Sequence, residues 1–230
     1  MYKKIGLKDG QLGFVEFCNA ISINHQNVIT NRLSSTNSVR VVTKNDLVDI
    51  FDYNQATKAD SLITNDRDIS LFLYTADCAA IALCDIKNKT IAAIHSGWKN
   101  SISGVVNNTL RTLKEQFGTN PHDIIAYVGQ GINKCCYDIN AETAKQFLES
   151  AHPECVESRN SMYYLDLNTY NKLSLQDCGV PKERITVIPL CSACSTYQSK
   201  RLFHSYHTSK IDIDGNHLNG LNGMIIHLVK

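Results

Sequence analysis

Three short apolar runs, 70–75, 80–84 and 90–95, follow one another with only turn-length gaps, and this crowding limits the fold more than any other feature of the chain. Apolar runs of that length bounded by small polar residues read as strands. Beyond them Ile102, Val105, Val106, Leu110, Leu113 and Phe117 recur at helical spacing, which predicts a helix lying on the sheet. Gly118 stands where a helix C-terminal glycine is expected, and 123–128 returns as a strand into Gly129-Gln130-Gly131, which reads as a tight turn. Later, 141–149 and 167–178 read as helices, the second stopped by Gly179 and Pro181, and 184–190 and 223–229 as strands. Near the start, 11–23 and 38–50 look strand-like, with a short helix between them leading to Asn31-Arg32. Strands alternating with helices predict a mixed α/β class.

Composition narrows the function classes. The 230 residues carry 23 basic and 22 acidic side chains, mixed along the chain, so no electrostatic footprint for nucleic acid or an anionic membrane exists. At 43% hydrophobic and without a linker-like stretch, residues 1–230 read as one domain. The amino terminus lacks the apolar core of a signal peptide and no apolar run reaches membrane-spanning length, which gives a cytoplasmic expectation. Nine cysteines, an odd number, read as thiols in a reducing compartment. The expected partner is therefore a small molecule, with no nucleic acid and no membrane, on a monomer or small homo-oligomer.

Chemistry concentrates where two of the apolar runs end. Cys78 follows the first run through Thr75-Ala76-Asp77, and His95 closes the third, followed by Ser96-Gly97-Trp98. Neighbouring strands delivering a thiol and an imidazole can converge on one metal ion or form a nucleophile and its base. Without that context Cys78 reads as a buried inert thiol and His95 as a core histidine. Cys135-Cys136 are adjacent and would point to opposite sides of a strand, while Cys191-x-x-Cys194 has zinc-knuckle spacing but lacks a second such pair, so both are expected to be structural.

Read in order, Asn31-Arg32, Ala59-Asp60, Thr75-Ala76-Asp77-Cys78, His95-Ser96-Gly97-Trp98-Lys99, Gly129 to Tyr137 and Phe203-His204-Ser205-Tyr206 resemble the laccase-domain proteins. That family is also called multicopper polyphenol oxidase, purine nucleoside phosphorylase or peptidoglycan editing factor. The resemblance implies mixed β-sheets sandwiched by helices, and a zinc, in place of the copper of the older oxidase label, held by two histidines and a cysteine. It further implies phosphorolysis of purine nucleosides or methylthioadenosine, adenosine deamination, or editing of a cell-wall precursor.

Carried over residue by residue, the resemblance makes Cys78 and His95 metal ligands and catalytic residues. It puts Arg32, Asp77, Trp98, Lys99, Tyr137 and Phe203 on the substrate, Tyr137 and Phe203 being able to stack on a purine. Thr43 stands where the family's first histidine is expected, leaving His25, Asp46, His204 or His207 as candidate third ligands. The family's arginines are replaced at Lys99, at His207-Thr208 and at Leu221, which removes planar forks that hold phosphate bidentately. A zinc-dependent purine nucleoside enzyme is the leading expectation. The alternatives are a metal-free cysteine hydrolase or amidase acting on a cell-wall precursor, with Cys78 attacking and His95 relaying the proton, and a non-catalytic nucleoside-binding paralogue.

Overall fold

The run of buried strands from 70 to 96 forms the centre of the molecule. The structure, a computed structural model, describes residues 7–209 and 220–228, with side chains from Phe14 onward. The segment 1–6 and residue 229 of the last expected strand lie outside the described residues. In chain order the chain forms helix α1 (Leu7–Ala20) and strands β1 (Val28–Arg32), β2 (Val39–Val41), β3 (Thr57–Lys58), β4 (Ser61–Thr64), β5 (Ser70–Thr75), β6 (Ala79–Asp85) and β7 (Thr90–Ser96). Helices α2 (Trp98–Ile102) and α3 (Val105–Phe117), strands β8 (Ile124–Val128) and β9 (Asp138–Ile139), and helix α4 (Ala141–Leu148) follow. Strands β10 (Val156–Arg159) and β11 (Met162–Leu165), helix α5 (Leu167–Asp177) and strands β12 (Ile185–Val187), β13 (Thr196–Tyr197), β14 (Lys200–Arg201) and β15 (Asn222–His227) complete it.

The class is mixed α/β. A six-stranded sheet runs in the order β12-β8-β6-β7-β4-β2, and a four-stranded sheet in the order β15-β5-β1-β3. Along β7 the side chains alternate between two cores. Ala92 and Ile94 pack with Val105, Val106, Leu110 and Leu113 of α3 and Leu175 of α5, whereas Ile91 and Ala93 meet Ile29, Leu71 and Leu73 of the other sheet. On the outer side of that second sheet, Phe14 and Cys18 of α1 pack on Val28 and Phe72. The layers are therefore helix, sheet, sheet, helix, and both faces of β7 are covered. This explains why β7 reads as a continuous apolar run. No helix among the described residues is long and apolar enough to cross a membrane.

Several expected elements differ. Residues 11–23 are not strand-like but largely belong to α1, because Phe14 and Cys18, four apart, share one helical face; Gly10 and Gly13 within α1 weaken its helical signal. The segment leading to Asn31-Arg32 is strand β1, with only a 3-10 turn at His25–Asn27 before it. Within 38–50 only Val39–Val41 is extended, and Thr43 caps a 3-10 turn through a reciprocal hydrogen-bonded box with Asp46. The single expected helix over 102–117 is two, broken at Gly104, whose φ of 79° is left-handed.

Candidate functional site

The register of β6 and β7 sets Cys78 and His95 side by side. Ala80 pairs with His95 and Ile81 with Ile94, so residues 78, 80 and 95 fall on one face of the sheet by the two-residue period. That face is the one packed on the second sheet, where Ala80 and Ala93 lie in the core between the sheets. Cys78 and His95 continue this row past its end and line a cavity of about 390 Å³, together with Asn31 of β1, Tyr74 and Thr75 of β5, and Gly97. A cavity of this size suits a small ligand.

Gly97 is what allows the thiol to lie against the backbone. A Cβ on it would sit 2.8 Å from Cys78 Sγ and 3.7 Å from His95 Cε1, which places both side chains against the same short turn. Burial pushes the Cys78 thiol up to about 12, with the Asp77 charge adding to it. Burial lowers His95 to about 4, against the opposing pull of Asp60 and Asn100. At neutral pH the pair is thus a thiol beside a neutral imidazole. His95 Nδ1 is buried without a hydrogen-bond partner.

The far wall comes from the 33–38 loop. Leu33 and Ser35 line the cavity, and the loop is pinned to the buried carboxylate of Asp60. Asp60 accepts hydrogen bonds from the backbone N–H groups of Ser34, Ser35, Thr36 and Ser38 and from the hydroxyls of Ser34, Thr36 and Ser38. Burial works against the charged form, but the bonds from Ser34, Thr36 and Ser38 outweigh it and hold the carboxyl at about 2. Asn100 also lines the cavity and donates through Nδ2 to Thr36 O at 2.9 Å.

Of the residues expected on the substrate, Trp98 and Lys99 line the cavity, with Lys99 Nζ 5.4 Å from the Trp98 ring centroid. Asp77, in a left-handed conformation at φ 83°, is buried behind Cys78. Its Oδ1 accepts from Ser192 Oγ at 2.6 Å, its Oδ2 from His207 N at 2.7 Å and its carbonyl from Ile132 N at 2.8 Å. Arg32, Tyr137 and Phe203 are not among the lining residues. In Asn31-Arg32 it is the asparagine that faces the cavity, held by Nδ2 to Ala59 O at 2.9 Å. Burial, followed by the charges of Cys78 and Asp77, raises Tyr137, which packs between two small cores behind the cavity.

None of the candidate third ligands reaches the cavity. Asp46 is bonded to Thr43, and His25 lies beside Phe51 in a separate hollow. His204 Nδ1 accepts from Gly220 N, and His207 Nε2 lies 2.9 Å from Asp138 Oδ1. The lining adds Tyr53, from a segment with no apolar period, and includes Leu221, where the resemblance expects an arginine.

A second cluster stands apart from the cavity. The sulfur atoms of Cys135, Cys136, Cys191 and Cys194 all lie within 4.8 Å of one another, an arrangement that could bind a metal ion. Burial, followed by hydrogen bonds with Cys191 and Cys194, pushes Cys135 up to about 11.

Two packed sheets between helices, with a thiol and an imidazole at the end of the inter-sheet core, define an α/β protein with a small-molecule cavity. The chain belongs to the multi-copper polyphenol oxidoreductase laccase family, whose model matches residues 14–221. It is 30% identical over 159 residues to a protein named purine nucleoside phosphorylase YlmD of Bacillus subtilis, covering 67% of this chain and 56% of that one. It is also 30% identical over 140 residues to purine nucleoside phosphorylase LACC1 of Mus musculus, covering 59% of this chain and 32% of that one. The chain thus spans about half or less of these relatives. The fold matches YlmD from Geobacillus stearothermophilus, with a TM-score of 0.77 and 24% identity over 84% of this chain and 72% of the other.

Proposed function

We propose that this chain is a purine nucleoside enzyme that works in the Cys78–His95 cavity by phosphorolysis. The relatives named purine nucleoside phosphorylase support a nucleoside-processing activity. The observation that carries the reading is the shared cavity, where a thiol and a neutral imidazole stand beside Tyr53, Tyr74 and Trp98, which would receive the base, and Lys99, which would receive the phosphate. In the reaction a phosphate oxygen bonds to C1′ of the ribose, the bond from C1′ to the purine nitrogen breaks, and its electron pair leaves with the base. The Cys78 S–H and the Asn100 amide are the donors at hand for the base nitrogen, and Lys99 offsets the phosphate charge.

A catalytic zinc takes three protein ligands. Among the described lining residues only Cys78 and His95 are a thiol, imidazole or carboxylate, so the set does not fit, and no step is assigned to a metal. The metal-free cysteine hydrolase is disfavoured by the same electrostatics, since a nucleophilic cysteine needs a lowered pKa and Cys78 is pushed up to about 12. The incomplete donor set specifically favours a second reading, a nucleoside-binding protein without turnover.

The test incubates the purified chain with inosine, adenosine or methylthioadenosine and phosphate, with and without added zinc, and follows free base and sugar phosphate. Phosphate-dependent base release that His95→Ala reduces at least a hundredfold supports the enzyme. Nucleoside binding without any release supports the second reading, and neither binding nor release overturns both.

A further inference from the structure

The four clustered cysteines lie on two loops that are far apart in sequence. Cys135 and Cys136 sit in a turn closed by Cys136 N and Tyr137 N, both donating to Asn133 O at 2.9 Å. In a turn, unlike in a strand, consecutive side chains can point to the same side, and this overturns the expectation that the pair diverges. Cys191 and Cys194 sit in a second turn closed by Ser195 N donating to Cys191 O at 3.0 Å. The turns are joined by a bridge between Gly131 and Cys191 and by Ser192 N donating to Gly131 O at 2.9 Å.

We propose that Cys135, Cys136, Cys191 and Cys194 form a tetrathiolate site for a single zinc ion, which clips the 129–137 loop to the 188–195 loop. A tetrahedral zinc with bonds of about 2.3 Å to sulfur sets its four sulfurs about 3.8 Å apart. Here Cys135 Sγ and Cys194 Sγ are 3.6 Å apart, and all four sulfurs fall within 4.8 Å. The spread is that of one coordination sphere. In an iron–sulfur cluster the cysteines are shared among separate irons, which holds them further apart.

The surroundings match a structural metal. Asn133 N–H donates to Cys191 Sγ at 3.4 Å, the kind of outer bond that fixes a ligand and favours its thiolate. Cys191 is buried, whereas Cys135 and Cys194 are exposed and leave a route for the ion. All four are free thiols, and four thiolates gathered at one point need a cation to offset their mutual repulsion. All four ligands come from protein, which closes the coordination sphere and marks a structural rather than catalytic ion. The clip bears on the cavity through Ser192, which lies inside the Cys191–Cys194 turn and bonds Asp77, the residue before Cys78.

The experiment measures zinc per chain in extensively dialysed wild type, in Cys78→Ala/His95→Ala and in Cys135→Ser/Cys194→Ser. The expected result is one zinc in each of the first two and at least a tenfold loss in the third. If the third variant does not fold, cobalt exchanged into wild type decides, since four thiolates give intense tetrahedral visible bands and sulfur-to-cobalt charge transfer. Dialysed wild type without zinc overturns the proposal, as does zinc retained by Cys135→Ser/Cys194→Ser, a cobalt spectrum without those bands, or a disulfide among the four cysteines in the native protein. Zinc content is measured without turnover, so failure of either proposal leaves the other standing.

Discussion

Ser192 Oγ lies 2.6 Å from Asp77 Oδ1, and this bond connects the 188–195 loop to the residue that precedes the cavity thiol. Both side chains are buried, so Asp77 cannot exchange the bond for water without local opening. Hydrogen bonds to charged groups contribute about 1.5–3 kcal/mol, and removing the donor leaves a buried carboxylate oxygen unpaired. Ser192→Ala is therefore expected to lower stability by about 2 kcal/mol in urea unfolding and to weaken nucleoside binding. Ser192→Thr, which keeps the hydroxyl, is expected to retain most of both. An Ala variant as stable as wild type would show that Asp77 is held by His207 N and the backbone alone.

Gly97 gives a test confined to the cavity. Its φ of −81° suits alanine, so any effect of Gly97→Ala arises from the 2.8 Å approach to Cys78 Sγ and the 3.4 Å approach to Asn100 Oδ1. Overpacking of this kind costs about 1–3 kcal/mol, and the side chain that must yield is the thiol. The expected outcome is a folded protein, by circular dichroism and thermal unfolding, with base release reduced at least tenfold. Unchanged turnover would mean that the position of Cys78 is irrelevant to the reaction.

The parts of the fold legible in the sequence are those whose faces are covered by neighbours close in the chain. Strands β5 to β8 and helix α3 announce themselves through Leu71, Ile81, Ile94, Leu110 and Leu113, because local apolar period and tertiary burial coincide there. Strand β4 is buried throughout but consists of Ser-Leu-Ile-Thr, too short and too polar at its ends to stand out. In the cavity, Cys78 and His95 are visible because each ends an apolar run. Ser35 and Tyr53 are not, since loops carry them there and the first loop is fixed by hydrogen bonds to Asp60 and from Asn100. Both cysteine pairs stand out in the sequence, but that they form one cluster does not, for a related reason: they meet only once β8 and β12 are paired in parallel, Val128 opposite Val187, which brings the loops after them together.

Asp60 makes the 33–38 loop sensitive to acid. Its folded pKa, about 2, lies below the ordinary aspartate value of 3.8, so the native state holds the proton less tightly than the unfolded chain. The resulting stability is fully present above about pH 4 and is lost as pH falls from there through about 2. A shift of this size corresponds to roughly 2 kcal/mol. Urea midpoints measured across this window are expected to fall more steeply for wild type than for Asp60→Asn, which is itself less stable at pH 7. Parallel pH profiles would show that another group governs acid unfolding.

Leu221 lines the cavity and is 39% exposed, and among the described lining residues Lys99 is the one cation. An arginine at 221 would add a planar fork of N–H donors next to an ammonium that offers only a point charge. For a phosphorolytic enzyme, Leu221→Arg is expected to lower the KM for phosphate about tenfold, equivalent to about 1.4 kcal/mol of added binding, with the KM for nucleoside little changed. Leu221→Lys should give a smaller gain, because an ammonium cannot bind two phosphate oxygens in parallel. The comparison separates the role of charge from that of geometry, and an unchanged phosphate KM in both variants would place the phosphate elsewhere in the cavity.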